Sequence, residues 1–154
     1  MWLQPWPDQA RDVLSIFSHG FPKQIITQLT SLKLQKFPFS EMTFALLLTM
    51  VNLETLDINC DRTIGVLRPG WFNYLTSLKA LKTVSFTGGF PNVGERLPPT
   101  MVITVINQLK RLQSLRLSPY IFDFKSGFTH GPGEFVESIA EHLAKREVTL
   151  TFTV

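Results

Sequence analysis

The residues of this chain that could do chemistry are few and scattered. Its one cysteine is Cys60, and its histidines are His19, His130 and His142. A reactive thiolate needs a nearby base or cation to hold its charge. Cys60 has only Arg62 close to it in sequence, and it falls in the alternation Leu56, Ile58, Cys60. It therefore reads as a packed structural cysteine. No histidine stands at metal-ligand spacing from another His or from Cys60. His142 lies near the apolar stripe of a helical segment and reads as a packed side chain. Gly88-Gly89 and Gly131-Pro132-Gly133 lack the spacing and the lysine of a phosphate loop. Ser126 and His130 would make a nucleophile–base pair, but no carboxylate stands in pattern to orient the base. The expectation is a protein that is not an enzyme and uses no metal or cofactor.

Composition points the same way. The chain has 154 residues, 44% of them apolar and 18% charged, with a formal net charge of +3. That is enough for one domain with a real core, and too apolar for a disordered chain. No basic run exceeds two adjacent residues, at Lys110-Arg111 and Lys145-Arg146. The expectation is against nucleic acid as a partner. One cysteine cannot form an internal disulfide, which excludes a disulfide-built secreted fold. The first residues, Met1 to Asp8, show neither the basic region nor the apolar core of a signal peptide. The apolar run from Phe44 to Val51 is far short of the ~20 residues of a membrane helix. A soluble protein of the cytoplasm or nucleus is expected, with no membrane partner.

The elements that position these residues follow from periodicity. Residues 1–28 read as an N-terminal helical cap. Asp8 stands where it can cap a helix. Ala10, Val13, Leu14 and Phe17 then form one apolar stripe, and Gly20 and Pro22 stop it. Strands are expected near Thr30–Leu34, Glu54–Ile58, Gln113–Leu117 and Val148–Phe152, each from period-2 alternation. Ser40 caps a helix over 42–51 that is apolar nearly all round, and Asn52 ends it. Thr100 caps a helix over 101–111. The helix over 134–146 has Glu134 and Glu137 near its start and Lys145-Arg146 near its end, which suits the helix dipole. Residues 87–99 and 118–133 are loops by their Gly and Pro content. Between 70 and 90 two registers compete. Leu75-Thr76-Ser77-Leu78-Lys79 echoes Leu29-Thr30-Ser31-Leu32-Lys33, whereas Leu81-Lys82-Thr83-Val84-Ser85-Phe86 alternates better and is preferred.

The strands share one pattern. Leu29-Thr30-Ser31-Leu32-Lys33-Leu34, Leu53-Glu54-Thr55-Leu56-Asp57-Ile58, Leu81-Lys82-Thr83-Val84-Ser85-Phe86 and Leu112-Gln113-Ser114-Leu115-Arg116-Leu117 are copies of a six-residue unit. Lys145-Arg146-Glu147-Val148-Thr149-Leu150 is a weaker fifth copy. A helix–strand unit of this size cannot bury its own apolar face, but a stack of units shares a core. With its Leu-x-x-Leu-x-Leu strands, the chain resembles the leucine-rich-repeat family over about residues 25–154. The regular Asn or Cys at the ninth position is absent: those places hold Phe37, Asp61, Gly89, Tyr120 and Thr153. The irregular periods and the phrase from Val51 to Ile58 resemble the repeats of fungal F-box-type proteins, although no F-box is visible. The resemblance implies an α/β fold. It would be a short curved leucine-rich-repeat solenoid, with parallel strands on the inner face and helices on the outer. The solenoid would span 29–154 in about five irregular units behind the cap at 1–28.

Alternate strand residues face opposite sides. With the apolar set inward, the inner sheet carries three polar rows: Ser31, Thr55, Thr83, Ser114, Glu147; then Lys33, Asp57, Ser85, Arg116, Thr149; then Gln35, Asn59, Thr87, Ser118, Thr151. Such a face suits an extended polar partner. The expected function is a non-catalytic protein–protein interaction module. Its partner-binding residues would be Lys33, Asp57, Asn59 and Arg116 on the sheet, with Tyr120 and Phe122 in the aromatic loop 120–128. Two plainer readings stand beside this. Lys33 and Asp57 could simply pair with each other, and the loop aromatics could fold over the core. An alternative to an interaction module is a fragment of a larger F-box-type repeat protein with no activity of its own. Its closing apolar strand would then be an open edge at which chains self-associate.

Overall fold

The computed structural model describes residues 2–3, 23–35, 41–60, 73–88, 99–118 and 132–152. They form an α/β structure around one all-parallel sheet. Its strands are β1 (Trp2–Leu3), β2 (Ser31–Gln35), β3 (Thr55–Cys60), β4 (Thr83–Gly88), β5 (Ser114–Leu117) and β6 (Thr149–Phe152), and they lie side by side in sequence order. Between them come helices α1 (Lys23–Gln28), α2 (Glu41–Leu48), α3 (Pro99–Gln108) and α4 (Pro132–Arg146). A 3-10 turn, Leu75–Ser77, precedes β4.

The sheet has one dry face. Leu32, Leu34, Leu56, Ile58, Val84, Phe86, Leu115 and Leu117 are each no more than 3% exposed. Ile26 of α1, Leu47 of α2, Val102, Val105 and Ile106 of α3, and Ile139 of α4 join them in one core cluster. Burying that face is the main force holding the layers together, at about 25 cal/mol per Å² of apolar surface. α2 is less enclosed than its composition predicts: Leu47 is buried, but Ala45 is exposed and Leu46 and Leu48 are half-buried.

A turn that the six-residue pattern does not include recurs ahead of β2, β3, β4 and β5. The N–H of Leu29 donates to Ile26 O, Leu53 to Met50 O, Leu81 to Leu78 O and Leu112 to Leu109 O. Both members of each pair are apolar, and all but the half-buried Leu29 are buried. The repeat therefore begins three residues earlier than Leu-x-x-Leu-x-Leu indicates. This also settles the competition near residue 80. Leu75 and Leu78 are buried in the turn, and the strand follows at Thr83–Gly88.

Two N–H groups converge on one carbonyl as β3, β4 and β5 each enter the sheet. Glu54 and Thr55 donate to Thr30 O, Lys82 and Thr83 to Glu54 O, and Gln113 and Ser114 to Lys82 O. The fifth unit breaks the rule, because only Thr149 donates to Gln113 O while Val148 N–H donates to Leu143 O. That bond closes the end of α4, together with Glu147 N–H to Ala144 O, in the paired-bond motif that commonly ends helices. The motif needs a left-handed residue, and Glu147 has φ 53.

This cap corrects the register expected for the last unit. Thr149, Leu150, Thr151 and Phe152 pair with Ser114, Leu115, Arg116 and Leu117. The last copy therefore starts two residues later than Lys145, because the helix runs to Arg146 and Glu147 makes the turn.

The N-terminal region also differs from expectation. Residues 1–28 read as a helical cap with no strand in it, yet Trp2–Leu3 is a strand that pairs with Lys33 and Leu34 at the edge of β2. The helix expected after Asp8 lies outside the described residues. Thr100 is not a cap but the second residue of α3, with Pro99 opening the helix, where a missing N–H costs nothing. Its carbonyl accepts from Thr104 Oγ1 at 3.0 Å.

Candidate functional site

The opposite face of the sheet carries hydroxyl, amide and charged side chains. Its first row is Ser31, Thr55, Thr83, Ser114 and Thr149, matched strand to strand. Its second row is Lys33, Asp57, Ser85, Arg116 and Thr151. Its third row contains Gln35, Asn59 and Thr87. Glu147 is not a member of the first row, and Thr149 and Thr151 each stand one row earlier than expected. The cause is the helix-closing turn just described.

Charge on this face is mostly paired. Lys33 Nζ lies 3.0 Å from Asp57 Oδ2 across β2 and β3. One register step before the strands, Lys82 Nζ lies 2.8 Å from Glu54 Oε1. Each side chain is about a third exposed, so each pair is worth only ~0.2–1 kcal/mol. Lys33 and Asp57, both expected to meet a partner, therefore meet each other. Asn59 is half-buried on β3 and Arg116 is exposed on β5. In the second row Ser85 is buried, 7% exposed, between the longer Asp57 and Arg116. Tyr120 and Phe122 lie outside the described residues.

The other reactive residues are dispersed. Cys60 is the last residue of β3, in register with Gly88. His142 is half-buried on α4. His19, Ser126 and His130 lie outside the described residues. Among the described residues no group of three His, Cys, Asp or Glu could hold a metal ion, and no helix is long and apolar enough to cross a membrane.

Side chains also tie one unit to the next, a role that sequence reasoning missed. Asn52 Nδ2 donates to Thr27 O at 2.7 Å, and Arg146 Nη2 donates to Leu109 O at 2.9 Å. Each acceptor sits at or just past the end of the preceding unit's helix, where carbonyls lack intrahelical partners. Asn52 and Arg146 occupy the same place, three residues before their strands. Asn52 was expected to stop its own helix; it caps the neighbouring one.

No family model matches the chain, and no curated protein or solved structure matches it either.

Proposed function

We propose that the chain is an irregular leucine-rich-repeat solenoid acting as a non-catalytic protein-interaction module, with its partner lying along the polar face of the sheet. The observation that carries this reading is the division of every repeat strand into an apolar side and a polar side. Hydroxyl, amide and charged groups run unbroken across β2 to β6, while the other side is dry from β2 to β5. The recurring turn and the sequential parallel strands support the repeat reading. A face of this kind offers hydrogen bonds along an extended partner without a deep pocket.

Bulky replacements on the face test it. Thr55→Arg and Thr83→Arg, on neighbouring strands, should abolish capture of the partner while the melting temperature stays within about 2 °C of the parent, as for surface changes. Glu137→Arg, on the exposed side of α4, should leave capture intact. Loss of capture by Glu137→Arg alone would move the interaction to the helices and overturn the proposal.

A second reading has one observation behind it. Leu150 and Phe152 of β6 are half-buried, whereas the matching Leu115 and Leu117 of β5 are fully buried. That difference fits a further strand beside β6, supplied by a larger F-box-type repeat protein or by a second copy. Light scattering tests the second-copy form, because a monomer at high concentration leaves no second copy beside β6.

A further inference from the structure

We propose that the polar face takes an acidic extended segment, with Arg116 receiving its carboxylate; this rests on the interaction-surface reading above. The inference comes from the charges that remain once the pairs are removed. Among the described residues of the face, Lys33 cancels Asp57, and at the entry to the strands, outside the three rows, Lys82 pairs with Glu54. The first and third rows carry no charge. One full charge is left, the exposed Arg116 guanidinium.

The neighbours of Arg116 leave it available. Its register partners are Ser85 on β4 and Thr151 on β6, both neutral. Asp57 is the acid nearest in its row, but it stands two strands away, about 9.6 Å at the usual strand spacing, and Lys33 already holds it. Ser85, between Asp57 and Arg116 in the row, is short, neutral and buried, so it brings no charge to the guanidinium. A guanidinium binds a carboxylate through two parallel N–H donors, and the surrounding hydroxyls can donate to the same segment's backbone. Lys79, Lys110 and Arg111 are exposed in the turns before β4 and β5. Set against the exposed Glu147 in the turn before β6, they leave that end of the sheet net positive and draw an acidic partner toward it.

Chain lengths fit. From β2 to β6 the face is about 19 Å wide at the usual strand spacing, so about six extended residues cross it. A nucleic acid is a poorer match, because a phosphate backbone is tracked by repeated cations, and among the described residues the rows of this face hold one cation, Arg116, outside an ion pair.

The test uses the full chain, labelled with nitrogen-15, and peptides of about eight residues alternating Gly with Glu, Gln or Lys. The Gly-Glu peptide should shift amide signals of 83–87 and 114–118 and bind more tightly than Gly-Gln, while Gly-Lys should not bind. Arg116→Gln should weaken Gly-Glu binding about three- to tenfold, Arg116→Lys should recover part of the loss, and Lys145→Gln on α4 should change nothing. Equal binding of Gly-Glu and Gly-Gln at those strands, indifferent to Arg116→Gln, would overturn the acidic preference and leave the interaction face standing. Binding of no peptide, or shifts confined to the helices, would overturn the inference. So would tighter binding of an oligothymidine at the same strands. Whether the face is an interface at all is decided separately, by the capture experiment with Thr55→Arg and Thr83→Arg.

Discussion

Leu56→Ala removes a side chain from the centre of the dry face. Leu56 is wholly buried, and its register partners Leu32 and Val84 are no more than 1% exposed. The substitution deletes three methylene-sized groups, about 2.4 kcal/mol at ~0.8 each. Strands on both sides limit collapse into the space, so a cavity contribution adds to this, for a total of about 3–4 kcal/mol. At about 2–4 °C per kcal/mol for a chain of this size, the melting temperature should fall by roughly 6–16 °C. Thermal and urea denaturation of Leu56→Ala, Thr55→Ala and Leu150→Ala measure this together. Thr55 is the sequence neighbour on the polar face, and its replacement should cost about 0.5 kcal/mol or less. Leu150 is half-buried on β6, and its loss should cost less than half as much as that of Leu56. An unchanged midpoint for Leu56→Ala, or a larger effect for Thr55→Ala, would show that the two faces are assigned the wrong way round.

Three further outcomes follow from the same structure. Glu147→Gly should stabilise the chain by about 0.5–1 kcal/mol, because only glycine adopts the left-handed closing turn of α4 without a Cβ penalty; a lower urea midpoint would contradict the cap. Asn52→Ala should cost about 0.5–1.5 kcal/mol through the lost bond to Thr27 O, whereas a neutral effect would mean that the inter-unit bond does not hold in solution. Double-mutant cycles on Lys33 with Asp57, and on Glu54 with Lys82, should each give a coupling of about 0.2–1 kcal/mol that vanishes near 1 M salt. A coupling that survives high salt would indicate burial that the geometry does not show.

How much of this was legible depended on whether local pattern and tertiary environment agreed. β2 to β5 were readable because Leu, Ile, Val and Phe alternate with short polar residues, and the sheet uses both sides of that alternation. The last strand alternates equally well, yet its register was read two residues early. A left-handed turn at a glutamate has no sequence signal, since glycine usually marks it. β1 is two residues long, too short for any period, and its pairing with Lys33 and Leu34 is a long-range event. The turn ahead of β2, β3, β4 and β5 did leave a trace, an apolar residue three before the leading leucine, which the six-residue pattern cut off. At the polar face, the row positions of Lys33, Asp57 and Arg116 were legible from parity alone. The pairing of Lys33 with Asp57 stood in the sequence as one of two readings, because neighbouring strands place them side by side, and the 3.0 Å contact decides between them. Asn52 was misjudged because its acceptor, Thr27, belongs to the preceding unit.

The most direct test of the interaction face is site-specific photo-crosslinking in cell extract. The crosslinker is placed in turn at Thr55, Ser114 and Thr151 on the polar face, and at Gln108, Glu137 and Ala140 on exposed helix positions. The account predicts one shared partner from the face positions, joined through an acidic segment, and no such product from the helices. The same partner from the helix positions and not from the sheet would contradict it.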